Sequence, residues 1–161
     1  MDQALVTYFS RTGRTHRLAL EIATALNADL ERIAEPRSRN GFLGYWRSGR
    51  EAWLKLPTNI EPTSHDPSSY GLVVLGTPIW AGNVSSPARA YISAHKGSFR
   101  RAAFFCTHGG TSAQKVFDEM AELCGARPVA TLSVTEREFR IGSYDDKLRQ
   151  FLANLSAAGT G

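Results

Sequence analysis

Hydroxyl side chains and a glycine cluster between residues 10 and 15, where the sequence is Ser-Arg-Thr-Gly-Arg-Thr. This segment follows the apolar, β-branched and aromatic run 4–9, which predicts a buried strand. It precedes Leu18, Ile22 and Leu26, whose spacing of four predicts a helix with one buried face. The N–H groups of a first helical turn lack intrahelical partners and favour negative charge. The stretch therefore predicts a phosphate-binding loop, and an ordinary strand–turn–helix is the alternative.

The residue types of this first loop suit an anion in different ways. Hydroxyl groups can donate hydrogen bonds, and a glycine lets the backbone approach a phosphate closely. The candidate binding residues are Ser10, Arg11, Thr12, Gly13, Arg14 and Thr15.

Two further loops carry residue types that a buried core does not readily explain. The second loop offers an indole between small residues, with a flat face suited to stacking. It comprises Thr77, Pro78, Ile79, Trp80, Ala81, Gly82 and Asn83. The alternative is that the indole packs on a neighbouring loop. The third loop comprises Thr107, His108, Gly109 and Gly110. Its alternative is a glycine-rich turn with a solvent-facing histidine.

The elements that must position these loops alternate along the chain. The continuous apolar run 71–76 predicts a central parallel strand, and further strands are predicted at 102–107 and 128–134. Ser143, with Asp146 three residues later, predicts the start of the last helix. Alternating strands and helices indicate an α/β protein, a doubly wound three-layer α/β/α sandwich around a five-stranded parallel sheet. Ligands of such sheets bind beyond the carboxyl ends of the strands, where all three loops are expected.

In these loops the chain resembles the flavodoxins and flavodoxin-like FMN-binding oxidoreductases. The S-x-T-G-x-T pattern of residues 10–15 is similar to their FMN phosphate loop, and residues 77–83 and 107–110 lie where their two other flavin loops do. The resemblance implies the strand order 2-1-3-4-5 and a non-covalently bound FMN. It also implies that the backbone at Gly82 lies near the N5 edge of the flavin. Unlike many flavodoxins, the chain is basic and has no aromatic residue between Thr107 and Val116.

The resemblance implies a redox function. The expected activity is electron transfer from NAD(P)H or a protein donor to a quinone-like or other small acceptor, with the flavin supplying the chemistry. His108 is the candidate catalytic residue, because an imidazole near the ring is suited to proton delivery. The alternative is a non-enzymatic electron carrier that docks protein redox partners. The first loop has no cysteine nucleophile for a phosphatase, and the chain has neither G-x-G-x-x-G nor a Walker lysine motif.

The three loops are also poor in carboxylates. Residues 3–20, 77–100 and 107–115 contain neither Asp nor Glu. Since reduced flavin is readily anionic, we expect neutral or basic surroundings to favour its full reduction.

The length of 161 residues indicates one domain, expected at 1–156 and followed by a flexible tail at 157–161. Its two cysteines form no disulfide framework, which favours a cytoplasmic location. No metal-ligand spacing is present, and no apolar run reaches membrane-spanning length. No nucleic-acid-binding module accompanies the basic charge, so a nucleic-acid partner is not expected.

The positive charge is concentrated in residues 36–57, an insertion after the second strand. This segment holds five Lys and Arg residues against Glu51 alone, and its aromatic residues recur at intervals of three and four. Three interpretations compete: packing on the sheet edge with solvated arginines, a homodimer interface or lid over the flavin, and contact with an anionic membrane surface.

Overall fold

The structure is a computed structural model that describes residues 3–36 and 58–159. Of the basic segment 36–57, only Pro36 lies within these ranges. The predictions of a sheet-edge contact, a homodimer interface, a lid and a membrane contact through this segment therefore lie outside the described residues.

Strands and helices alternate through the described ranges. The strands are β1 (Ala4–Tyr8), β2 (Asp29–Arg32), β3 (Leu72–Trp80), β4 (Asn83–Val84), β5 (Ala102–His108) and β6 (Pro128–Thr135). The helices are α1 (Arg14–Leu26), α2 (Ser86–Ala94), α3 (Ala113–Cys124), α4 (Glu136–Ile141) and α5 (Asp145–Ala158). A 3₁₀ turn at Pro67–Ser69 precedes β3. None of the described helices has both the length and the apolar character needed to cross a membrane.

Five of the strands form a parallel sheet in the order β2-β1-β3-β5-β6, and the short β4 pairs antiparallel with the end of β3. Counted without β4, this is the predicted order 2-1-3-4-5. The three-layer α/β/α architecture is confirmed, since α1 and α5 pack on one face of the sheet and α2 and α3 on the other.

The sheet has a hydrophobic core on each of its two faces, because apolar side chains along the strands point alternately to one face and the other. In β5, Phe104 faces the core beneath α2 and α3, whereas Phe105 faces the core beneath α1 and α5. Both rings are fully buried. Successive strand residues point to opposite faces, so a strand covered on both sides must be apolar throughout. Burying one such side chain contributes about 1.5–3 kcal/mol, and both faces of this strand gain from it.

Several boundaries differ from those predicted. The structure adds α4, which begins with a capping box formed by Thr135 and Glu138. The last helix begins at Asp145 without a side-chain cap, so the predicted start at Ser143 is wrong. This helix also continues two residues into the predicted tail 157–161, because Arg101 Nη1 donates a 2.7 Å hydrogen bond to the carbonyl of Ala158.

Candidate functional site

The first predicted loop follows β1, whereas the second begins within the last residues of β3 and the third within those of β5. These three strands are neighbours in the sheet. In the register, Tyr8 pairs with Gly76 and Gly76 pairs with Phe105, so these strands end side by side. A Cβ atom at Gly76 would lie 2.0 Å from the Phe105 ring, which explains the glycine at this close approach. Strand order reverses between β1 and β3, and such a reversal is where open α/β sheets bind ligands.

The first loop leaves hydrogen-bond donors unused. Ser10 is buried, and its Oγ accepts a 3.1 Å hydrogen bond from the N–H of Gly13. Within the described residues its own hydroxyl proton has no acceptor, and it remains for a ligand. Gly13 precedes α1 with φ +97°, no side chain of the described residues caps the helix, and its first turn holds no acidic residue. Exposed Thr12 adds another hydroxyl. This donor set suits a phosphate dianion.

A buried hydroxyl pair connects the first loop to the third. Thr15 Oγ1 and Thr107 Oγ1 lie 2.8 Å apart, and both residues are almost fully buried. One hydroxyl of the pair donates to the other. The pair therefore brings the start of α1 and the end of β5 to the same point of the sheet edge.

One carboxylate lies beside the first loop, although the loops themselves contain none. Glu136 at the start of α4 lies 2.7 Å from Arg14 Nη1. Both side chains are about half exposed, so the pair contributes roughly 0–1 kcal/mol. A cleft of about 470 Å³ opens here, lined by Thr12 and Phe139 among others. The missed signal was the capping-box pattern of residues 135–138.

Trp80 is more buried than the sequence predicted. Residues 77–80 continue β3 instead of forming a loop, because residues 83–84 return as β4. The indole is 9% exposed and packs edge-to-face on Phe9, with ring centroids 5.3 Å apart. Its contact with the residue before the first loop matches the alternative interpretation, so only the remaining indole surface can face a ligand.

Ala81 and Gly82 form the tight turn between β3 and β4. Both have positive φ, +48° and +74°, as a two-residue type I′ hairpin turn requires. A left-handed alanine costs about 1–2 kcal/mol, whereas glycine adopts this conformation freely. Asn83 offsets part of this cost, since its Nδ2 donates a 3.1 Å hydrogen bond to the carbonyl of Ala81. The peptide that joins Ala81 to Gly82 is therefore held by a side chain.

Side chains from two helices hold this turn, and none of them was predicted from the sequence. Lys115 Nζ donates to Asn83 Oδ1 at 3.2 Å. Glu119 accepts the N–H of Val84 at 3.3 Å and forms an ion pair with Arg89. Lys115 and Glu119 are four residues apart, which places them on one face of α3. Only this spacing is visible in the sequence, because the partners are distant along the chain.

Both ring nitrogens of His108 are engaged. The N–H of Gly110 donates to Nδ1 at 3.1 Å, and Nε2 lies 3.3 Å from Ser133 Oγ. Because Nδ1 accepts a hydrogen bond, the ring carries its proton on Nε2. Burial lowers the pKa of His108, while Glu138 raises it and Lys147 lowers it further. The ring is half-buried, with both nitrogens in contact with the protein.

Cys106 lies in the core and is not suited to redox chemistry. It is fully buried, and desolvation raises its pKa to about 12. A thiol in this state is a poor nucleophile. Among the residues in the described ranges, no group of three His, Cys, Asp or Glu side chains is placed to hold a metal ion.

No protein-family model matches the sequence, and no curated protein matches it. Solved structures do match. A flavoprotein from Lactobacillus acidophilus NCFM, crystallised in complex with FMN, is similar with a TM-score of 0.70 at 17% identity, over 89% of this chain and 99% of that one.

Two further matches extend over most of both chains. Oxidised flavodoxin 2 from Bacillus cereus has a TM-score of 0.59 at 17% identity, over 97% of this chain and 99% of that one. An NADH:FMN oxidoreductase in its apo form has a TM-score of 0.59 at 13% identity, over 96% of this chain and 87% of that one. At these identities the likeness establishes the fold: the chain has the flavodoxin-like fold.

Proposed function

We propose that this chain is an FMN-dependent oxidoreductase, which takes electrons from NAD(P)H or a protein donor and passes them to a quinone-like or other small acceptor. One observation carries the proposal: an uncapped helix N-terminus rich in hydroxyl groups lies beside two further loops at the strand-order reversal of a flavodoxin-like sheet. The FMN complex of the structurally similar Lactobacillus protein supports the choice of ligand.

The first loop would hold the phosphate of FMN. The N–H groups of the first turn of α1 and the hydroxyls of Ser10, Thr12 and Thr15 provide neutral donors. Gly13 places no side chain over them, and the space around its Cα is open. Arg11 and Arg14 add positive charge, which Glu136 partly neutralises. The fit to a phosphate dianion is therefore both steric and electrostatic.

The second and third loops would hold the ring. Thr77 is buried and fixes the start of this region, because its Oγ1 accepts the N–H of Ser85 at 3.1 Å. Pro78, Ile79 and the remaining surface of Trp80 supply apolar contact, and the turn at residues 81–83 supplies backbone polar groups. Gly109 and Gly110 leave open space on the other side. FMN, when bound, supplies the one- and two-electron chemistry.

His108 is the candidate catalytic residue in this proposal. Its lowered pKa keeps the ring neutral at pH 7, with the proton on Nε2 and a lone pair on Nδ1. Proton exchange with a substrate requires the Nε2–H group to leave Ser133. Replacing His108 with glutamine is expected to leave FMN bound and to slow turnover. An unchanged turnover number would remove His108 from the mechanism.

The decisive experiment is purification followed by anaerobic reduction. The purified protein should be yellow with an FMN spectrum, and mixing with NADPH or NADH should rapidly bleach the visible absorption band of the flavin. Subsequent addition of a quinone should reoxidise the flavin and restore the yellow colour. A folded protein that bleaches only with dithionite would contradict direct oxidation of a pyridine nucleotide.

The second candidate is a non-enzymatic electron carrier. The match to Bacillus cereus flavodoxin over nearly the whole of both chains favours this function. A carrier would bleach only when a partner reductase is present, and its association rate would fall as salt rises. The same anaerobic experiment, repeated with a flavodoxin reductase, separates the two candidates.

A further inference from the structure

The turn between β3 and β4 is held by contacts from outside the hairpin. Its strands contribute only the pairs of Ile79 with Val84 and of Trp80 with Asn83. The central residues have positive φ, which is unfavourable for Ala81. Such a turn needs outside support to keep one conformation.

That support comes from α3. Lys115 Nζ binds the side-chain oxygen of Asn83, and the side-chain nitrogen of Asn83 binds the carbonyl of Ala81. The chain of contacts runs from an ammonium group to one peptide oxygen. Asn83 is 4% exposed, so its amide has little access to water. Because Lys115 fixes the Asn83 oxygen, it also fixes which side of the amide faces Ala81.

A second contact comes from the same face of α3. The carboxylate of Glu119 accepts the backbone N–H of Val84, and its side chain is 10% exposed. Arg89 of α2 pairs with this carboxylate and is itself 11% exposed in its side chain. A buried carboxylate without a cation would be destabilising. Arg89 neutralises Glu119 and so allows its carboxylate to remain buried in contact with Val84.

We propose that Lys115, Glu119 and Arg89, here called the turn anchor, are positioning residues that fix the peptide between Ala81 and Gly82 for the edge of the flavin ring. This inference rests on the proposed function. The turn anchor acts in two ways. It holds the turn in its bound shape before FMN arrives, which removes an ordering cost from binding. It also restricts rotation of this peptide, because the Ala81 carbonyl is held by the side chain of Asn83.

The first test is the variant Lys115→Met, which removes the ammonium group and keeps the aliphatic stem. Lys115 is exposed, so the fold is expected to survive. FMN affinity, measured by quenching of flavin fluorescence, should fall about fivefold as the turn loses its fixed shape. The first one-electron midpoint potential should rise relative to the second, because the freed peptide can turn its carbonyl towards a protonated ring.

The matched control is Lys96→Met. Lys96 is also exposed, and it lies before β5 at the opposite end of the sheet. The substitution makes the same change in net charge away from the turn. FMN affinity and both potentials should match those of the wild type within about twofold. Equal effects of the two variants would overturn the inference, since net charge would then explain them.

A double-mutant cycle tests whether Lys115 acts through Asn83. In the Asn83→Ala background, Lys115→Met should have no further effect on FMN affinity or on the potentials. Additive effects would contradict the proposed chain of contacts.

Hydrogen exchange in the apoprotein separates this inference from the proposed function. The Val84 amide should exchange about tenfold faster in Glu119→Ala than in the wild type, with FMN absent. Exchange at the wild-type rate would overturn the contact with Glu119. A wild type that binds no FMN would overturn the proposed function and the positioning role together. FMN binding with identical Lys115→Met and wild-type behaviour would overturn the positioning role alone.

Discussion

The first loop and the β3–β4 turn lie on the same edge of the sheet, yet they use their polar groups in opposite ways. At the first loop, α1 has no side-chain cap and the hydroxyl proton of Ser10 has no acceptor within the described ranges. At the turn, Asn83 and Glu119 engage the carbonyl of Ala81 and the N–H of Val84. One region leaves donors free, and the other has its backbone held by side chains.

This difference matches what each region has to do in the proposed function. A phosphate is recognised by the number and charge of donors that point at it, so free donors raise its affinity. A ring edge is recognised by the position of a few backbone groups, so fixing those groups matters more. Substitutions at the first loop should therefore change affinity strongly, and substitutions at the turn should change stability and redox properties.

The largest effect is expected from Thr12→Asp. Thr12 is exposed, and an acidic residue beside a helix N-terminus is compatible with the fold. The new carboxylate would repel the phosphate at close range, and we expect FMN affinity to fall about 100-fold, or about 2.7 kcal/mol. The dissociation constant is measured by fluorescence quenching. Thr12→Asn introduces a side chain of the same size as Asp without its charge, and it should lower FMN affinity less than about tenfold. Equal losses of affinity in the two variants would contradict an anion at this loop.

A smaller effect is expected at the turn, with opposite signs at adjacent residues. Gly82→Ala places a side chain at φ +74° and should lower the free energy of unfolding by about 1 kcal/mol. Ala81→Gly relieves the strain at φ +48° and should change this free energy by roughly 0–1 kcal/mol in the stabilising direction. Urea denaturation of the apoproteins measures both. A destabilised Ala81→Gly variant would show that the turn is not strained as described.

The smallest effect is the pH dependence contributed by His108. Folding lowers its pKa below the ordinary value of about 6.5, so the unfolded chain binds the proton more readily. This residue should therefore make the protein less stable as pH falls below about 6.5. His108→Gln should lose less stability than the wild type between pH 7.5 and pH 5.5 in urea denaturation. An identical loss in both proteins would indicate that folding does not shift this histidine.

The sequence predicted those parts of the fold and site that depend on local pattern. The strand order followed from the resemblance, and the first loop was predicted because its hydroxyls, glycine and flanking elements are contiguous. The turn was misjudged because β3 continues to Trp80, where a loop was expected after Gly76. Nothing near Trp80 in the sequence indicates that residues 83–84 return to pair with it.

Long-range contacts account for the rest. Lys115 and Glu119 reach the turn from α3, more than thirty residues away, and no local signal links them to it. At the last strand the local signal was present but misplaced. Thr135 and Glu138 form the capping box that starts α4, whereas capping was predicted at Ser143. Both segments carry a hydroxyl residue followed three residues later by an acidic one, but the carboxylate of Asp146 pairs with Arg149 and forms no capping box.

The central claim is that the first loop binds the phosphate of FMN. Calorimetric titration of FMN and of riboflavin into the same apoprotein tests it most directly, because the two ligands differ only in the phosphate. We expect one FMN per chain and an affinity for riboflavin at least about 100-fold weaker. Equal affinities, or no heat of binding with FMN in a folded protein, would contradict the claim.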